Sequence, residues 1–232
     1  MKIDGCTALV TGANRGLGRR FAEQLVARGA TVYGGVRNVA SLDVPGVIPV
    51  TIDVTDAASV AAAAETVSGV SLLVNNAGSY TGASASDGSL KDIRLEMETH
   101  YFGTLAMSRA FAPQLAASGG GAILNVLSVL SWVTFPGYSG YAAAKSAQWS
   151  LTNALRIELA AQGTQVTALH VGYLDTDMVA FVDAPKSDPA VIAALSLDAL
   201  EAGSVEILAD NDARQIQASL AGGVAQLYPS AV

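Results

Sequence analysis

The chain has 232 residues, of which 51% are hydrophobic and 14% charged, with a formal net charge of −7. That length fits a single α/β domain, and the apolar share suits a parallel sheet covered on both faces. The acidic balance argues against a nucleic-acid-binding role, and the single cysteine, Cys6, permits no internal disulfide. One cysteine fits a reducing compartment. The opening Met-Lys-Ile-Asp-Gly lacks the apolar core of a signal peptide, so a cytoplasmic location is expected.

Cys6–Val10 is a short β-prone run leading straight into Thr11-Gly-Ala-Asn-Arg-Gly-Leu-Gly18. An amphipathic helix follows from Arg19 to about Arg28 and stops at Gly29. Strand, glycine-rich turn and helix make the first unit of a dinucleotide-binding fold. Glycines let the backbone approach a pyrophosphate, whose charge the helix N-terminus favours. The spacing is Gly-x-x-x-Gly-x-Gly, so a plain tight turn at Gly12, Gly16 and Gly18 is the alternative. Further strands are expected at Ala30–Val36, Val47–Asp53, Ser71–Asn76, Ala122–Leu127 and Gln165–Val171. Helices are expected near 57–67, 89–117, 141–161 and 188–220, the last broken at Gly203. Parallel strands need such crossovers, so the pattern predicts a Rossmann-type doubly wound parallel sheet in one domain.

Residues 110–144 contain no Asp, Glu, Lys or Arg, which raises the question of a membrane span. Pro113, Gly119 to Gly121, Asn125, Pro136 and Gly137 interrupt the stretch before about twenty apolar residues can accumulate. A buried strand followed by a pocket-lining loop accounts for it, and no membrane partner is expected. Within it, Ser128 ends the apolar strand, and Tyr141-Ala-Ala-Ala-Lys145 begins thirteen residues later. Positions i and i+4 of a helix share a face. An ammonium held beside a phenol favours the phenolate, so Lys145 is expected to lower the pKa of Tyr141. Ser128 can hydrogen-bond the same substrate oxygen as Tyr141.

In order and spacing, Thr11–Gly18, Asp53-Val54, Asn75-Asn-Ala-Gly78, Ser128, Tyr141/Lys145 and Gly172 through Thr176 resemble the short-chain dehydrogenase/reductase family. The similarity runs from about residue 3 to 180. It implies that Gly12, Asn14, Arg15, Gly16, Leu17 and Gly18 cradle a dinucleotide and that Asp53 and Val54 meet its adenine. It places Asn75, Ala77 and Gly78 along the cofactor, although Asn75 can equally pin neighbouring strands. Gly172, Leu174 and Thr176 match the segment that grips the carboxamide, with Val171 where the family more often has proline. An NAD site carries an acid at the end of the second strand. Val36 stands there, with Arg37 after it and Arg15 facing, so NADP(H) is the expected cofactor.

The mechanism implied by the resemblance adds hydride to a carbonyl carbon while Tyr141 protonates the oxygen and Ser128 hydrogen-bonds it. Lys145 holds the nicotinamide ribose. Ser131 and Tyr138 are rivals for the serine and tyrosine, but Tyr138 has no lysine four residues on. His100 stands where the family has its catalytic-site asparagine. Imidazole can carry protons, so it either preserves that relay or fills a helix gap. Val129, Leu130, Trp132, Phe135 and Tyr138 are expected to form an apolar wall, with Met178 and Phe181 in a short covering loop. That pocket suits small or medium hydrophobic ketones or aldehydes. The apolar helices near 89–117 and 141–161 resemble the family's dimer-forming pair, implying a homodimer or homotetramer. The leading expectation is an NADPH-dependent carbonyl reductase. The alternatives are an NADP(H)-binding regulatory protein with little turnover and an NAD-linked alcohol dehydrogenase.

Overall fold

The computed structural model describes residues 1–229. Seven parallel strands form one sheet: β1 (Thr7–Thr11), β2 (Thr31–Val36), β3 (Val47–Thr51), β4 (Leu72–Asn75), β5 (Ala122–Val126), β6 (Gln165–His170) and β7 (Glu206–Leu208). Their order is β3-β2-β1-β4-β5-β6-β7, so the chain reverses its direction of travel between β1 and β4. A crevice at the carboxyl ends of the strands is the usual consequence of such a switch.

Side-chain alternation along the strands builds the two faces. Ala8 and Val10 of β1, Leu72 and Val74 of β4, and Leu124 of β5 enter one core with Phe21 and Leu25. Those last two lie on helix α1 (Gly16–Ala27), and Ile192 and Leu197 join them from α6 (Pro189–Glu201). Leu9, Leu73 and Ile123 point the other way, onto α2 (Ala57–Thr66), α4 (Gly103–Ala117) and α5 (Ser139–Glu158). Phe111, Leu115, Leu151 and Leu155 close that second core. Among the described residues, no helix is long and apolar enough to cross a membrane.

Two expected helices resolve differently. The stretch near 89–117 is α3 (Leu90–Met97) and α4 joined by a π-helical segment, Glu98–Phe102, which carries His100. The extra residue per turn rotates the face presented after it, and such wide turns recur at functional sites. The stretch 188–220 is not one interrupted helix. Gly203, at φ +83°, turns the chain after α6, and Glu206–Leu208 pairs with Ala168–His170 as β7. Helix α7 (Asn211–Ser219) then starts under an Asp210 cap, and α8 (Gly223–Leu227) follows.

Candidate active site

A cleft of about 520 Å³ opens at the carboxyl ends of the strands on both sides of the β1/β4 switch. At one end it is walled by Gly12, Asn14, Arg15, Gly16 and Leu17. Gly12 and Gly16 lie at φ +69° and +54°, the region that favours glycine. Gly18 does not line the cleft, but a Cβ there would press into the Gly12 carbonyl and the Asn76 amide. Helix α1 begins without a side-chain cap and without an acid in its first turn, which leaves its N-terminus open to an anion. These features fit a dinucleotide pyrophosphate.

Arg37, Asp53 and Val54 line the neighbouring wall, and Ala77 and Gly78 the floor. Strand β2 ends in Val36 with no acid beside it, and Arg37 is exposed. Asp53 Oδ1 accepts from Thr55 N–H and O–H, at 3.0 and 2.7 Å, which braces its loop. Arg15 reaches across the mouth to Asp177 at 3.8 Å; both are solvent-exposed, so the pair adds little stability. Asn75 is buried off the cleft, donating to Asn125 Oδ1 at 2.8 Å and Ser108 Oγ at 3.3 Å, which pins β4 to β5 and α4. Its neighbour Asn76 lines the cleft instead, and its amide donates to the carbonyls of Thr11 and Gly12.

At the other end β5 delivers Ser128 and the first turns of α5 deliver Tyr141 and Lys145, all lining the cleft with His100. Ser128 Oγ accepts from Leu130 N–H at 3.1 Å, which leaves its own hydrogen for the Tyr141 phenol or for a substrate oxygen that takes its place. The expected pull of Lys145 on Tyr141 is corrected here. Lys145 Nζ turns inward, donating to the Val126 carbonyl at 2.7 Å and to Gln148 Oε1 at 2.9 Å, and sits 5.6 Å from the tyrosine ring centroid. Burial pushes the phenol well above its usual range; Glu96 adds to the rise and the Ser128 hydroxyl opposes it. Burial also pushes Lys145 down to about 7. The resting phenol is therefore neutral and carries its proton.

His100 is buried, and loss of hydration, with Lys145 adding to it, holds its pKa well below the ordinary imidazole range. Nε2 lies 2.8 Å from the Ser79 carbonyl and 3.3 Å from the Ser79 N–H, so the ring's tautomer selects which of the two it bonds. Nδ1 is buried without a partner among the described residues. The ring meets Tyr141 edge-on at 5.0 Å between centroids.

The expected apolar wall divides. Val129 and Leu130 sit in a short turn capped by Ser128 and face a separate cluster that includes Ala213 of α7. Trp132 stacks on His170 at 3.8 Å, behind the site. None of the three lines the cleft, so the expected wall is not formed by them. Tyr138 instead stacks on Tyr80, 5.1 Å between centroids, and Tyr80 stacks on Phe181 at 5.6 Å. Met178 lines the cleft, whereas Phe135, Tyr138 and Phe181 do not; Phe135 and Phe181 are exposed. At the carboxamide segment Gly172, Leu174 and Thr176 line the cleft, and Gly172 N–H donates to Asp210 Oδ2 at 2.7 Å.

The family pattern for short chain dehydrogenases matches residues 6–187, most of this chain and every segment just described except Asp210 and Ala213. The chain belongs to the short-chain dehydrogenase family. A short chain dehydrogenase from Burkholderia cenocepacia, solved in complex with NADP, superimposes with a TM-score of 0.92 at 41% identity, covering 96% of this chain and 95% of the other. The 3-oxoacyl-acyl-carrier-protein reductase of Salmonella typhimurium is 33% identical over 77% of each chain. An NADPH-dependent 1-acyldihydroxyacetone phosphate reductase of Schizosaccharomyces pombe is 34% identical over 72% of this chain, which there spans 60% of the relative's length. Within this short-chain dehydrogenase, sequence reasoning passed over Asn76, Tyr80, Glu96, Gln148, His170 and Asp210. The doubled asparagine at 75–76 was the available signal; Glu96 and Gln148 stand in helical stretches that carry several other polar residues, so nothing singled them out.

Proposed function

We propose that this short-chain dehydrogenase reduces a ketone or aldehyde to an alcohol using NADPH. The observation that carries the reading is a protonated phenol at Tyr141 with the Ser128 hydroxyl beside it, both lining the cleft. When bound, NADPH supplies the hydride. Tyr141 gives its proton to the carbonyl oxygen, Ser128 donates a hydrogen bond to the same oxygen, and both favour the developing alkoxide. Lys145 holds the cofactor's ribose at the cleft floor. Selection of NADPH over NADH is supported by Val36 in the place of an acid, by Arg37 and Arg15, and by the NADP complex of the Burkholderia cenocepacia relative.

The substrate class follows from the stacked Tyr138, Tyr80 and Phe181 and from Tyr173, whose hydroxyl donates to that of Tyr138 at 3.3 Å. This wall carries no Lys or Arg, so a phosphate or carboxylate finds no partner on it. A neutral, hydrophobic or aromatic carbonyl compound suits it. Phe102 and Ile157, exposed on the outer faces of the α4 entrance and α5, support pairing of these helices in a homodimer or homotetramer.

The test is NADPH oxidation against a panel of neutral and anionic aldehydes and ketones, with Tyr141→Phe in parallel. The expected outcome is turnover of the neutral members that falls roughly 10²–10⁴-fold in the variant. Turnover kept by Tyr141→Phe removes that residue as proton donor. Tight NADPH binding with no turnover of any member favours a binding-only protein, and a preference for NADH favours an NAD-linked dehydrogenase.

A further inference from the structure

Gln148 lies on the buried side of α5, 1% exposed, one turn beyond Lys145. Its Oε1 accepts from Lys145 Nζ at 2.9 Å, and its Nε2 donates to Thr104 Oγ1 at 2.8 Å, at the start of α4. The orientation of the amide is forced. An ammonium has three donors and no acceptor, so only the amide oxygen can face it. With the Val126 carbonyl at 2.7 Å taking a second hydrogen, Lys145 keeps one donor for the cleft that it lines.

The other groups around Lys145 do not provide this support. Tyr141 on the same helix presents its ring to the ammonium at 5.6 Å. His100, on the π segment, spends its Nε2 on Ser79. His170 on β6 directs Nδ1 at the Ser128 carbonyl, 3.3 Å away. Glu96 on α3 gives Oε1 to Thr81 N–H and O–H. Among the described residues, no carboxylate forms an ion pair with Lys145.

We propose that Gln148 is a positioning residue for Lys145, anchored by Thr104, that holds the ammonium charged at the cleft floor with one hydrogen directed to the cofactor. The inference rests on the reductase reading for the role of Lys145, but its first readout needs no substrate. A buried ammonium is stabilised by each acceptor it keeps, and removing one favours the neutral amine. That shift is separate from any loss of packing.

The experiment follows the Lys145 side chain by NMR in 15N-lysine-labelled apoprotein through a pH titration. Wild type, Gln148→Met and Gln148→Glu are compared, with NADPH affinity read by fluorescence. In Gln148→Met the Lys145 midpoint is expected to move to lower pH. NADPH binding is expected to weaken roughly 10-fold or more, the scale of a lost hydrogen bond to a charge. The alkaline limb of kcat moves down with the midpoint. Gln148→Glu keeps an acceptor and adds a charge, so its midpoint rises and its NADPH binding returns towards wild type. Should Gln148→Met not fold, Thr104→Val frees the amide and gives a smaller shift of the same sign. A Lys145 midpoint unchanged in the folded variants overturns the proposal, whatever happens to activity. Wild type that shows the expected midpoints and NADPH binding but turns over no carbonyl refutes the reductase reading and leaves the positioning role standing.

Discussion

The two ends of the cleft are built on opposite terms. At the glycine-loop end, Thr11 Oγ1 donates to the Val74 carbonyl and accepts from the N–H groups of Asn76 and Ala77, while the Asn76 amide returns to Thr11 and Gly12. Every one of those polar atoms is matched, and the shape is set by backbone. At the Tyr141 end, His100 Nδ1, Ser79 Oγ and Glu96 Oε2 are buried without hydrogen-bond partners among the described residues; away from the cleft Asn75 Oδ1 and Trp132 Nε1 also lack them, and His170 Nε2 has only Glu206 Oε1 at 3.6 Å. Tyr141, Lys145, His100, His170 and Glu96 all depart there from their ordinary pKa. An unmatched buried polar atom costs about 1–3 kcal/mol. The contrast locates chemistry at the end where stability has been given up, and architecture at the end where it has not.

The sharpest way to break the matched end is Gly18→Ala. Its new Cβ meets the Gly12 carbonyl and the Asn76 amide, so backbone must move. We expect about 3 kcal/mol of lost stability in urea unfolding, with NADPH titration showing cofactor binding lost in step.

The unmatched end responds instead to pH. Burial pushes His170 down to about 4 from 6.5, so the folded imidazole takes up its proton later than the unfolded one. As pH falls from 6.5 to about 4, the unfolded state binds the proton first and stability drops. Below the folded pKa the drop stops, after about 3 kcal/mol. Thermal melts across that range test this, with His170→Gln expected to flatten the slope by close to one proton. An equal slope in the variant assigns the effect to other groups.

A smaller effect probes the seam between the ends. A Cβ on Gly78 would stand 2.9 Å from His100 Cε1, and its next neighbours are 3.8 Å away. Gly78→Ala is expected to cost about 1–2 kcal/mol. His100→Asn removes the obstructing ring, so a double-mutant cycle should show coupling of about 1 kcal/mol. Additive losses would mean that Gly78 answers to something other than the imidazole.

The matched end was the legible one. A short β-prone run, the glycines at 12, 16 and 18 and a following amphipathic helix state a backbone conformation directly, and six of the seven strands follow from apolar runs. Strand β7 did not, because Glu206–Leu208 is three residues long with only Ile207 fully buried. The π segment at Glu98–Phe102 shifts helical periodicity by a single residue, too little to stand out in the pattern. Sharing a helix face placed Tyr141 and Lys145 together, but not the direction of a flexible lysine. Its Nζ followed buried acceptors, Val126 and Gln148, contributed by elements distant in the sequence or unremarkable in it.

The bond from Gly172 to Asp210 has a consequence for modularity. The family pattern ends at residue 187, yet the carboxylate that fixes the backbone of the carboxamide segment lies beyond it, at the junction of β7 and α7. The same side chain caps α7 through Ala213 N–H at 2.8 Å. A chimaera joined after residue 187 would therefore keep the loop of Met178 and Phe181 but import a new fastening for Gly172. Exchanging the tail of such a chain re-fastens the Gly172 edge of the cleft without altering a residue of the matched family pattern.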